Sequence, residues 1–179
     1  ELVSHLFHVT RRQADEYAFR HALIHDAAYA VNLLRDRKLL HAHIAESMEH
    51  IYGSTAGARA AQIAYHFYAA EIWDKALTYS TRAAELAQAG YALPEAITHF
   101  SRALEAARRL GKPAPLSLLR ARAQVYDTLG KFDSALADYE RGLAMARDDR
   151  DTQAEWQAML DLGFLWVSRD YRLGGEYFL

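Results

Sequence analysis

An all-α fold made of antiparallel helix hairpins is what this sequence predicts, on two observations. Apolar residues recur at three- and four-residue steps through most of the chain, the spacing that gathers them on one helical face. A turn signature also recurs, an aromatic residue or leucine followed three residues later by alanine, at Trp73 and Ala76, Leu93 and Ala96, and Phe132 and Ala135.

The stretch from Leu119 to Leu143 shows the unit most completely. On its first helix Leu119, Ala123, Tyr126 and Leu129 form a face that must be buried, and Gly130 tolerates the left-handed backbone that ends a helix. After the turn Phe132 packs inward, Asp133 stands as N-cap, and Ala135, Leu136, Tyr139 and Leu143 carry the next apolar stripe. Small residues at Ala123 and Ala135 let the two helices approach, while the aromatic side chains fill the volume around that contact. At Ala123, Tyr126, Gly130, Phe132, Ala135 and Tyr139 the segment resembles a tetratricopeptide (TPR) repeat, a helix-turn-helix unit of about 34 residues. Residues 116–149 form one such repeat, in which Arg122 replaces an expected aliphatic residue and Gly142 stands where alanine is usual. The resemblance implies a TPR-like helix-hairpin solenoid, a right-handed superhelix.

From the N-terminus, residues 6–20 alternate apolar and polar on either side of a polar stretch, the pattern of a short β-hairpin. From His21 the period lengthens. Ala22, Leu23, Ala27, Ala30 and Leu34 suit one helix, and Leu39, Leu40, Ile44 and Met48 a second that ends near Gly53, with a break around Arg35 to Arg37. Through Phe19, Arg20, His21, Leu23, Ala28, Tyr29, Leu40, His41, Ile44 and Ala45, this part of the chain resembles a segment of bacterial STAND-class signalling ATPases. In that family, which includes members linked to class III nucleotide cyclases, the segment closes a winged-helix-like region. The resemblance implies a small N-terminal β-hairpin and winged-helix-like cap over residues 1–53, a nucleotide-binding ATPase module upstream, and TPR-like repeats over residues 58–179 that continue in the parent protein. The chain starts at Glu1 without methionine and stops inside a helical pattern at Leu179, which fits a piece of something longer.

The small-residue stretch GSTAGARA is the expected domain boundary. Beyond it, the helix from Trp73 to about Ala89 serves as second helix of one hairpin and first of the next, and Pro94 suits the first turn of the helix after that. Gly111, Pro113 and Pro115 interrupt the array before the central repeat. The last stretch repeats the unit with Leu162, Gly163, Trp166, Tyr171, Gly174 and Phe178.

Composition narrows the function classes. About half of the 179 residues are apolar and a quarter charged, enough to bury a sizeable core. A formal net charge of -2 with interspersed signs argues against coating nucleic acid or anionic membrane. No apolar run approaches the roughly 20 residues of a membrane span. The absence of cysteine fits a reducing cytosol, so a cytoplasmic location is expected.

No catalytic, cofactor or metal site is expected. His21 and His25 lie one helical turn apart, with His41 and His43 close by, yet there is no HExxH and no fixed third ligand. His21 and His41 suit hydrogen bonds to buried backbone. No Gly-rich phosphate loop or GxSxG is present, so the chain is not read as an enzyme. DNA contact through a wing would rest on Arg11, Arg12 and Arg20 alone, with Asp15 and Glu16 at the turn. Trp73, Tyr126, Tyr139 and Trp166 fall on the packed seam, whereas Thr81, Glu85, Arg120, Gln124 and Asp127 fall on the concave face that such arrays use for partners. Arg120 alone cannot make the carboxylate clamp of chaperone-binding TPR proteins. Tyr177 and Phe178, among the aromatics crowding the end, are expected to mediate self-association. The function expected is protein–protein interaction, with a protein or peptide partner or other domains of the same chain. The chain would be a regulatory scaffold or sensor arm of a STAND-type ATPase or cyclase, with a free-standing TPR adaptor or a DNA-binding regulator as alternatives.

Overall fold

The computed structural model describes residues 7–11, 16–19, 34–52, 57, 59–167 and 169–178. Among these the helical period resolves into α1 (Leu34–Tyr52), α2 (Ala60–Ala69), α3 (Trp73–Ala89), α4 (Leu93–Arg109), α5 (Leu116–Thr128), α6 (Phe132–Asp148), α7 (Thr152–Val167) and α8 (Tyr171–Glu176). Upstream, β1 (Phe7–Arg11) pairs antiparallel with β2 (Glu16–Phe19), with a register shift between Val9 and Arg11. The expected helix over His21 to Leu34 lies almost wholly outside the described residues.

Five tight turns share one geometry. After α2, α3, α4, α5 and α6, the backbone N–H of Ile72, Ala92, Lys112, Lys131 and Asp151 donates to the carbonyl five residues earlier. This closure satisfies carbonyls that a helix end leaves unpaired, and it requires one left-handed residue. Gly111 and Gly130 supply it at φ +67 and +68. Glu71, Tyr91 and Arg150 take the same conformation as non-glycine residues, at a steric cost of roughly 1–2 kcal/mol each. At the second turn the left-handed residue is therefore Tyr91 and not the adjacent Gly90.

Each helix packs on its successor, and α2 meets α4, and α5 meets α7, across one intervening helix. That pattern is a helical-repeat solenoid of two staggered rows. Fully buried alanines mark the crossings: Ala64, Ala76, Ala84, Ala96, Ala123 and Ala135. Larger side chains fill the space around them in three successive clusters. Ile63, Phe67 and Tyr79 pack with Ala45 of α1, Phe100, Leu118, Leu119 and Val125 join α3 to α5, and Phe132, Tyr139, Leu143, Leu162 and Leu165 join α5 to α7.

Four local expectations need correction. Leu129 is 37% exposed, because α5 ends at Thr128 and the chain leaves the helical spiral before the residue can return to the buried face. Asp133 is not the N-cap: α6 starts at Phe132, Lys131 precedes it without a side-chain cap bond, and Asp133 lies in the first turn, where its charge still suits the helix dipole. No break falls at Arg35 to Arg37, since α1 runs unbroken from Leu34 and no proline or glycine interrupts it. On α1 the inward stripe is His41, Ala45, Met48 and Tyr52, while Leu39, Leu40 and Ile44 are exposed, because α2 packs against the side that carries histidine.

Arg122, the departure from an aliphatic pattern, earns its place by pairing. Its Nε and Nη2 donate to the two carboxylate oxygens of Asp138 on α6 at 2.8 Å each, and Nη1 donates to Ser101 Oγ on α4 at 2.8 Å. Asp138 is buried, so the bidentate geometry offsets the desolvation of both charges and ties three helices together. Asp138→Ala should therefore cost about 3 kcal/mol, the lower end for breaking a buried pair because Arg122 keeps some water contact. Urea melts are the check: most of the loss should return in Arg122→Leu with Asp138→Leu, and a double variant as unstable as the single would show that the pair is not the cause.

Candidate functional site

The position of Gly142 opens a cleft. In the preceding hairpin the residue three after the inward aromatic Phe100 is Ala103, fully buried; in the central one the residue three after Tyr139 is Gly142, where an added Cβ would meet nothing within 4 Å. The resulting space, about 110 Å³, lies between α5 and α7 over α6. Leu116, Ser117 and Arg120 form one wall, Ala154, Gln157, Ala158 and Asp161 the other, and Asp138, Tyr139 and Gly142 the floor.

A charged bridge joins the two walls. Arg120 on α5 donates to both carboxylate oxygens of Asp161 on α7 at 2.5 and 3.0 Å, and Gln157 Nε2 donates to the same carboxylate at 3.2 Å. Burial, then the Asp161 and Asp127 carboxylates, push the Tyr139 phenol well above the usual tyrosine range, so the floor holds a neutral hydroxyl at physiological pH.

Arg120, Gln124 and Asp127 follow one another at helical steps along α5, and all three are exposed. Arg120 lines the cleft and Asp127 acts on its floor through its field. Thr81 and Glu85 lie on α3, away from this cleft; Thr81 Oγ1 donates to the Leu77 carbonyl of its own helix, and Glu85 is exposed. Tyr177 is half-buried against the last cluster. Phe178, 43% exposed, lays its ring over Gly163 and meets Phe164 edge to face. Trp156, Phe164 and Tyr171 present more apolar surface than either.

Sequence reasoning missed Gln157 and Asp161 as wall residues and placed Tyr139 in the seam alone. Asp161 carries a legible signal in hindsight: it is a lone acid in an otherwise apolar run, MLDLGFLW.

His41 Nδ1 lies 2.8 Å from His66 Nδ1, so its ring pairs with a second ring across α1 and α2, and Tyr65 stands edge-on to both. One ring must donate and the other accept, which needs at least one of them neutral. His21 and His25 lie outside the described residues. No group of three or more potential metal-ligating side chains occurs among the described residues, and no helix there is long and apolar enough to cross a membrane.

Burial holds both rings below the ordinary value of 6.5, and the neighbouring His41 adds to the effect on His66. A base depressed on folding contributes stability above its unfolded value and loses it as pH falls. The α1–α2 junction should thus loosen as pH drops below about 6.5. Amide exchange, corrected for its intrinsic pH dependence, should show α1 losing protection between pH 7.5 and 5.5, and losing less in His66→Phe, where only His41 remains to be charged; equal protection of α1 at both pH values would refute it.

Residues 93–148, which span α4, α5 and α6 from end to end, match the tetratricopeptide repeat family. No curated protein and no solved structure matches the chain. The stretch that supplies one wall and the floor of the cleft is a tetratricopeptide-repeat region, an architecture whose repeats generally mediate protein–protein contact.

Proposed function

We propose that the chain is a protein–protein interaction scaffold whose docking point is the cleft between α5 and α7, where a partner segment inserts one apolar side chain. The observation that carries this reading is the open space at Gly142, in a position that the preceding repeat closes with alanine. A space of about 110 Å³ accepts a side chain of valine or leucine size, given that a dry cavity of about 150 Å³ takes up benzene. The Arg120–Asp161 bridge holds the walls apart at a fixed width, so the site is preformed and the partner is spared that ordering cost. Gln124 and Asp127 extend the partner surface along α5; Thr81 and Glu85 would extend it along α3.

In the finer reading the scaffold is a regulatory arm within a larger cytoplasmic signalling protein of the STAND class, with residues 1–53 as winged-helix-like cap and 58–179 as repeats. The motif residues from Phe19 to Ala45 support it. The partner would then be another domain of the same parent or a separate protein.

N-acetyl-leucine amide at millimolar concentration tests the docking point. It should shift the amide resonances of Gly142, Ala154 and Ala158, and Gly142→Leu should abolish those shifts while leaving the helical spectrum intact, since leucine also favours helix over glycine. Absence of shifts in the parent protein, or their persistence in Gly142→Leu, would overturn the proposal.

A further inference from the structure

The charge around the cleft does not balance, and the imbalance bears on what flanks the inserted side chain. Around the Tyr139 hydroxyl the charged groups whose fields reach it are Asp161, Asp127 and Arg120. Arg120 and Asp161 neutralise one another, and Arg122 neutralises Asp138. Asp127 is exposed, and its carboxylate has no ion pair or hydrogen bond among the described residues. It sits seven residues beyond Arg120, two turns along the same face of α5. One negative charge on α5 is thus left over, two turns beyond the wall residue Arg120 and within reach of the floor by its field.

Seven residues of helix span about 10 Å. An extended segment covers that distance in about three residues. We infer that the cleft selects a partner segment in which a short aliphatic side chain, seated against Tyr139 and Gly142, lies within three residues of a lysine or arginine that meets Asp127. This inference rests on the cleft being the docking point. It adds a sign to the ligand: cationic segments are favoured and acidic ones disfavoured, through like-charge repulsion that no compensating cation on α5 relieves.

Three capped pentapeptides tested against the whole chain separate the parts of the claim: acetyl-Lys-Gly-Leu-Gly-Lys-amide, the same with serine at both ends, and the same with glutamate. All three should perturb the cleft resonances. The lysine peptide should bind about twofold to fivefold tighter than the serine peptide at low ionic strength, the scale of one exposed ion pair. The glutamate peptide should bind more weakly than either, and the differences should shrink in about 1 M salt, where charges are screened beyond about 3 Å. In Asp127→Asn the lysine and serine peptides should bind alike. Equal affinities in the parent, or a lysine preference that survives Asp127→Asn, would overturn the charge inference and leave the docking point standing. Failure of all three peptides to touch the cleft would overturn both.

Discussion

Close approach at the helix crossings is the constraint on which everything else in this array depends. Two helices interlock only where the residue between them is small, and here that residue is a fully buried alanine at one crossing after another. A larger side chain at such a point would force the helices apart at a cost of about 1–3 kcal/mol. The shift would propagate, because each helix is also the packing surface for the next. Phe67, Phe100, Leu119 and Tyr139 fill the volume on either side, but it is the alanines that set where those side chains meet.

Against that regular background two departures make the site. Arg122 brings a charge into the interior and recovers its cost through Asp138 and Ser101, which fixes α6 relative to α4 and α5. Asp138 and Tyr139 are consecutive on α6, so the anchored carboxylate also sets the position of the neighbouring phenol at the cleft floor. Gly142, one turn on, removes the methyl group that would close the space above it. Both residues are those at which the sequence deviates from a regular repeat. The structure gives the deviations a joint consequence: a slot walled by the hydrogen-bonded set of Arg120, Gln157 and Asp161 over a floor of Asp138, Tyr139 and Gly142.

The helical repeats were legible because period and turn chemistry agree. The helix at Trp73–Ala89 and the central repeat at 116–149 follow from apolar spacing and from Gly130, Pro113 and Pro115. Leu129 and Asp133 were misread because a sequence pattern gives no sharp point at which a helix ends, and one residue of error moves a side chain by about 100°. The face of α1 was misread because histidine counts as polar, although a neutral ring paired with another ring is buried readily. Of the cleft, Arg120 is the α5 residue that the sequence also put on the concave face, whereas Asp161 comes from α7, and no local spacing connects residues 41 positions apart. Glycine at 142 was noticed as an exception, but its meaning depends on what the neighbouring helices leave empty.

The last hairpin carries the small-residue rule further. Gly163 and Gly174 stand where the central hairpin has Ala123 and Ala135. An added Cβ at Gly163 would lie 2.5 Å from the Phe178 ring, and one at Gly174 would lie 2.8 Å from Val167 Cγ2. The seam of the last pair is therefore tuned to its own neighbours, down to a single methyl group. The two helices of that hairpin are keyed to one another: either glycine could become alanine, as in the central repeat, only if Phe178 or Val167 gave way with it, so single helices exchanged between repeats would be individually sound but would no longer mesh.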